Sequence, residues 1–124
     1  MSENTTEKLV IIVTHGPEDP EKASLPFVVA NAALSMDVEV TVILQAKGVL
    51  TAKKGIYEHI VAPGLEPLKK MVDDFMGLGG KLFVCIPCIE ERQISLEMMV
   101  EGAQPIKAGR LVHTVLEAKA VLNY

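Results

Sequence analysis

Short apolar runs alternate with helically spaced stretches along this chain, and their order predicts its architecture. Residues 9–14 (LVIIVT) form a continuous β-branched run, the pattern of a strand buried on both faces. His15-Gly16-Pro17 ends it. Residues 18–23 are polar, and a helix is predicted over 26–36. Pro26 sits in its first turn, and Phe27, Ala30, Asn31 and Leu34 recur at helical spacing. Residues 38–44 (VEVTVIL) predict a second strand. Residues 45–63 show no clear period and read as a long loop with one helical turn at most. A helix follows over 65–78, with Leu68, Met71, Val72 and Phe75 on one face and Lys69, Lys70, Asp73 and Asp74 on the other. Gly77, Gly79 and Gly80 stop it. Residues 81–84 (KLFV) predict a third strand that runs directly into Cys85. After a turn at Pro87, a helix is predicted through 95–100, then a short strand over 105–108. A helix over 109–118 and a last strand over 120–124 close the chain. Strands alternating with helices imply an α/β domain with three layers, α/β/α, around a mostly parallel five-stranded sheet. No repeat, linker or low-complexity segment divides it, so residues 1–124 read as one domain.

The length of 124 residues suits that reading and allows a core without a disulfide or a metal. Hydrophobic residues make up 49% of the chain while Trp is absent, so the core must be aliphatic. The net charge of −4 and the lack of any basic run point away from nucleic acid. No apolar run approaches the roughly 18 residues that cross a bilayer, so no membrane partner is expected. The start of the chain, Met1 to Lys8, is polar and lacks the apolar segment of a secretory leader. The expected location is the cytoplasm, where Cys85 and Cys88 stay thiols.

Ligands of open parallel sheets sit at the carboxyl ends of the strands. Three polar segments fall there: Thr14-His15-Gly16, Gln45 to Gly48, and Cys85 to Cys88. His15, Gly16, Gln45 and Gly48 are therefore the candidate binding residues, and Cys85 and Cys88 the candidate catalytic ones. Cys85-Ile86-Pro87-Cys88 is a Cys-x-x-Cys, which fits a redox pair, half of a zinc site, or a nucleophile with a neighbour. A thioredoxin-type pair would follow an early strand, whereas three strands precede this one. Zinc would need His15 and His113 to complete about four ligands. No metal and no cofactor is expected. His59 and His113 read as ordinary surface or helix residues, Met98-Met99 as core or subunit contact, and Arg92 as a weak candidate to offset charge on sulfur. The expected nucleophile is Cys85, its thiol pKa lowered by N–H groups of the turn after it, with Cys88 accessory and nearer the free value of about 8.5. Pro87 is expected to hold Ile86 extended.

The blocks LVIIVTHGPEDPEKASLPFVVANAAL, VEVTVILQAKGV, GGKLFVCIPCIEERQI and AGRLVHTVLEAKAVLNY, in that order, resemble the DsrE/DsrF-like family with its TusD-type sulfur-relay subunits. The resemblance covers nearly the whole chain. It implies a cysteine after the third strand that accepts a persulfide and passes it on, which by position is Cys85. Cys88 is a departure, because relay members often carry a small residue there. The implied partners are sulfur donor and acceptor proteins and further copies of the chain, as a trimer or hexamer. The apolar excess of the helix over 26–36 and of Met98-Met99-Val100 points to a homo-oligomer as well. Two other readings stay open: a non-catalytic small-ligand-binding or assembly protein, and a Cys85/Cys88 dithiol redox protein. Residues 45–63 are expected to form a mobile, adaptable wall of the site.

Overall fold

The computed structural model describes residues 6–124. The polar start of the chain lies, through residue 5, outside the described residues. The elements are β1 (Lys8–Val13), α1 (Pro20–Ser35), β2 (Glu39–Leu44), α2 (Leu68–Gly77), β3 (Lys81–Cys85), α3 (Ile86–Glu91), β4 (Gln104–Ile106), α4 (Ala108–Glu117) and β5 (Ala120–Asn123). The five strands form one sheet in the order β4-β3-β2-β1-β5, with every pairing parallel. The chain steps from β1 to β4 in one direction, and α4 then carries it back to set β5 beside β1.

The register aligns Val13 with Leu44 and Leu44 with Val84. Thr14, Gln45 and Cys85 each follow one of those residues, so the tips of β1, β2 and β3 share one edge. Strand alternation sends side chains to two unequal faces. Ile11, Val13, Val42, Leu44, Leu82 and Val84 pack against α1 and α2 in the main core. Phe27 and Phe75 meet there edge to face, with ring centroids 5.8 Å apart. On the other face Val10, Ile43, Phe83 and Ile106 form a smaller cluster, with Ile12, Leu111, Val115 and Ala118 at its rim. No residue of α4 is buried. Arg110 lies over the Phe83 ring, 4.7 Å from its centroid.

Several elements differ from the pattern-based expectation. Helix α1 starts at Pro20, because the Asp19 side chain accepts the Lys22 N–H at 3.1 Å and Pro20 fills the first turn. Pro26 therefore lies inside the helix and is buried, giving up one backbone hydrogen bond there. Residues 45–63 are not an open loop. They hold two 3-10 segments, Ala46–Ala52 and Tyr57–His59, with Val49, Ala52, Tyr57 and Ile60 in the main core. Thr51 Oγ1 donates to the Gly48 carbonyl at 2.7 Å, and the Tyr57 hydroxyl donates to Asp73 at 2.9 Å. This burial does not fit a mobile wall. A helix, α3, begins immediately at Ile86, and the expected helix through 95–100 is only a 3-10 turn at Leu96–Met98.

Candidate functional site

The three strand tips interlock through backbone as well as side chains. The Gln45 N–H donates to the Val13 carbonyl at 3.0 Å, and the Gly48 N–H donates to the Gln45 carbonyl at 2.8 Å. Gly48 lies so close to β1 that a Cβ added to it would stand 2.0 Å from the Val13 carbonyl oxygen. A Cβ on Gly16 would stand 2.5 Å from the Lys47 carbonyl oxygen. Both glycines are thus spacers that let the segments after β1 and β2 pack closely. Ala46, between Gln45 and Lys47, adopts a left-handed backbone with φ 51°. A non-glycine residue rarely holds that conformation unless its surroundings fix it. Its N–H donates to Cys88 Sγ at 3.2 Å.

Cys85 is the last residue of β3 and the N-cap of α3, with φ −63° and ψ 118°. It is the extended residue at this handover, whereas Ile86 is already helical, contrary to the expected influence of Pro87. One turn of α3 brings Cys88 back over Cys85, and the two sulfurs lie 2.7 Å apart. Both cysteines are free and half-buried. Burial raises the Cys85 pKa first, its hydrogen bond with the Cys88 sulfur next, and the charge of Cys88 adds to both. The Cys88 N–H and the Arg92 charge oppose these effects without overcoming them. The expected depression of the Cys85 pKa is therefore reversed. The backbone donor was foreseen, but desolvation and the second sulfur outweigh it. Arg92 is held near the pair by donating to the Cys88 carbonyl at 3.0 Å.

The model of the DsrE/DsrF-like family matches residues 7–124. The chain belongs to the DsrE/DsrF-like family. The uncharacterized protein MJ0760 of Methanocaldococcus jannaschii is 33% identical over 96 residues, covering 77% of this chain and 35% of that protein. The chain thus spans about a third of the length of that relative. Among solved structures, the ychN protein from E. coli superposes with a TM-score of 0.81 at 20% identity, covering 96% of this chain and all of that one. The protein MTH1491 from Methanobacterium thermoautotrophicum, of unknown function, gives 0.76 at 14% identity over 95% of this chain and 99% of that one. These structures share the fold of this DsrE/DsrF-like chain.

Of the residues singled out in the sequence, this member of the family brings Gly16, Gln45, Gly48, Cys85 and Cys88 to one edge. His15 stands at the same edge, with Nδ1 3.3 Å from Thr14 Oγ1, and no hydrogen bond among the described residues joins it to either sulfur. His113 is elsewhere. It lies on α4 beside Lys8 and Lys81, at the opposite end of the strands, and pairs with Glu117 at 3.4 Å. His59 is exposed at the end of the second 3-10 segment. Among the described residues no group of three or more His, Cys, Asp and Glu side chains is placed to share a metal ion. No helix among them is long and apolar enough to cross a membrane. Ala46 is the site residue that the sequence reading missed. Alanine carries no signal for a left-handed backbone, and only its place between Gln45 and Gly48 pointed there.

Proposed function

We propose that this chain is a sulfur carrier of the sulfurtransferase type, in which Cys85 accepts a sulfane sulfur as a persulfide and yields it to an acceptor thiol. The Cys85 thiolate attacks the outer sulfur of a donor persulfide R–S–SH. A new S–S bond forms, the old one breaks, and R–S⁻ leaves, giving Cys85–S–SH. The observation that carries this reading is the setting of Cys85. The sheet fixes it at the end of β3, half-exposed, with Arg92 beside it, at the position where the family resemblance implies a persulfide cysteine. Donor and acceptor are proteins that present a persulfide and a thiol, in a reducing cytoplasm where both cysteines start as thiols. His15 and Gln45, half-buried at the same edge, are the side chains a donor's reactive end would meet, and the buried Gly16 and Gly48 hold their loops together. Incubation of the Cys88→Ser variant with glutathione persulfide, followed by desalting and intact mass measurement, should show the gain of one sulfur atom. A variant that gains none is not a carrier.

The second reading is a small-ligand-binding or assembly protein. It draws on a cleft of about 350 Å³ at the amino ends of the strands, lined by Lys8, Thr41, Lys81, Phe83, Arg110 and His113. That cleft holds neither cysteine, so ligand binding there would leave sulfur chemistry untouched.

The carrier is proposed to work as a homo-oligomer, a trimer or hexamer, assembled through α4 and β5. Val112 and Leu116 on α4 are 53% and 78% exposed, and Val121 and Leu122 on the edge strand β5 are exposed too. An apolar helix face beside an open strand edge is the kind of surface that soluble chains cover. A second copy of the chain is the assigned cover. Light scattering should give a multiple of 13.4 kDa for the wild type and a smaller species for Leu116→Glu. A monomeric wild type at micromolar concentration overturns the assembly.

A further inference from the structure

We propose that Cys88 discharges the persulfide on Cys85, so that the chain reduces sulfane sulfur to hydrosulfide unless an acceptor thiol intervenes. This rests on the persulfide reading of Cys85 and adds an activity to it. The motive is geometric. Cys88 Sγ is 2.7 Å from Cys85 Sγ, nearer than any protein acceptor can be before docking. It is kept there from two sides. Helix α3 carries it back over β3, and the Ala46 N–H, presented by a left-handed backbone, meets its sulfur at 3.2 Å from across the sheet edge. Cys88 already stands at contact distance from what would be the inner sulfur of Cys85–S–SH.

The Cys88 thiolate attacks Cys85 Sγ. The Cys85–Cys88 bond forms, the Cys85–S bond to the outer sulfur breaks, and HS⁻ leaves with the electron pair. The sulfane sulfur is reduced by two electrons, and the two cysteines are oxidised to a disulfide. A low-molecular-weight thiol then restores the pair. Two R′SH give R′SSR′ and return two protons and two electrons to Cys85 and Cys88. Over one cycle, a donor persulfide and two thiols become a thiol, hydrogen sulfide and a disulfide.

Geometry also sets the competition. An intramolecular thiol held at contact distance acts at an effective concentration that a free acceptor reaches only by docking. Transfer onward therefore requires a docked acceptor that displaces Cys88 or reaches the outer sulfur first. In this account Cys88 is a timer on the persulfide, and the small residue that relay members often carry at this position removes the timer.

The test uses glutathione persulfide as the probe. Wild type and Cys88→Ser are loaded, desalted, and followed by intact mass and by methylene-blue assay of released sulfide, with no added thiol. Wild type should release one sulfide per persulfide accepted and end two hydrogen atoms lighter than the reduced chain. Cys88→Ser should hold the extra sulfur, releasing sulfide at least roughly tenfold more slowly. The decisive reading is on wild type, so it does not depend on the variant folding. A wild type that keeps the extra sulfur and releases no sulfide overturns the discharge and leaves the carrier intact. A Cys88→Ser chain that accepts no sulfur, checked by an unchanged circular dichroism spectrum, overturns both.

Discussion

Replacing Gly48 with Ala is expected to destabilise the fold by about 3 kcal/mol or more, the upper range for overpacking a filled site. The new Cβ would stand 2.0 Å from the Val13 carbonyl oxygen and 2.6 Å from its carbon. Both partners are backbone, so no rotamer change relieves the clash. The choices are to push the Ala46–Ala52 segment off the sheet or to bend β1. Either move breaks the Gln45–Val13 hydrogen bond and draws the Ala46 N–H away from Cys88. The reason is lack of space rather than a left-handed backbone, because Gly48 is absent from the positive-φ glycines. Urea unfolding is the measurement. A shift in stability of less than about 1 kcal/mol would mean that the segment is more yielding than its burial implies.

Thiol reactivity is the second large effect. Cys85 has a raised pKa, so at neutral pH it is held as the thiol and its alkylation rate should climb only in alkali. Cys88→Ser removes the two causes that come from the second sulfur, its hydrogen bond and its charge, and leaves burial in place. The midpoint of the alkylation profile of Cys85 should therefore move to lower pH in that variant. The sign for stability follows from linkage. A raised folded pKa stabilises the fold below the unfolded value of about 8.5, and this contribution is lost as pH rises through the folded value. Wild type should thus lose stability in mild alkali more steeply than Cys85→Ser does. An alkylation midpoint that stays put, or rises, in Cys88→Ser would show that the sulfur pair is not what shifts Cys85.

Much of this was legible in the chain itself, for identifiable physical reasons. The runs LVIIVT, EVTVIL and KLFVC are buried on both faces, and such strands announce themselves by composition alone. Once three parallel strands were in place, the register of their tips followed, and with it the meeting of Gly16, Gln45, Gly48 and Cys85. Pro26 suits a first turn, but the Asp19-Pro20 cap is the stronger signal and starts α1 earlier. Residues 45–63 show no amphipathic period because short 3-10 turns bury side chains at irregular spacings. Helix α3 is only six residues long, too short to show a helical period in the sequence. The close approach of Cys88 to Cys85 could be suspected from their spacing, but the donor from Ala46 comes from forty-two residues away in the chain and leaves no local trace.

The most direct test of the account is to find which sulfur takes the persulfide. Cys88→Ser and Cys85→Ser are each loaded with glutathione persulfide, trapped with iodoacetamide, digested, and mapped by tandem mass spectrometry. The account predicts the extra sulfur on Cys85 in the first variant and no comparable adduct on Cys88 in the second. A Cys85→Ser chain that carries the sulfur on Cys88 as fully as Cys88→Ser carries it on Cys85 would contradict it.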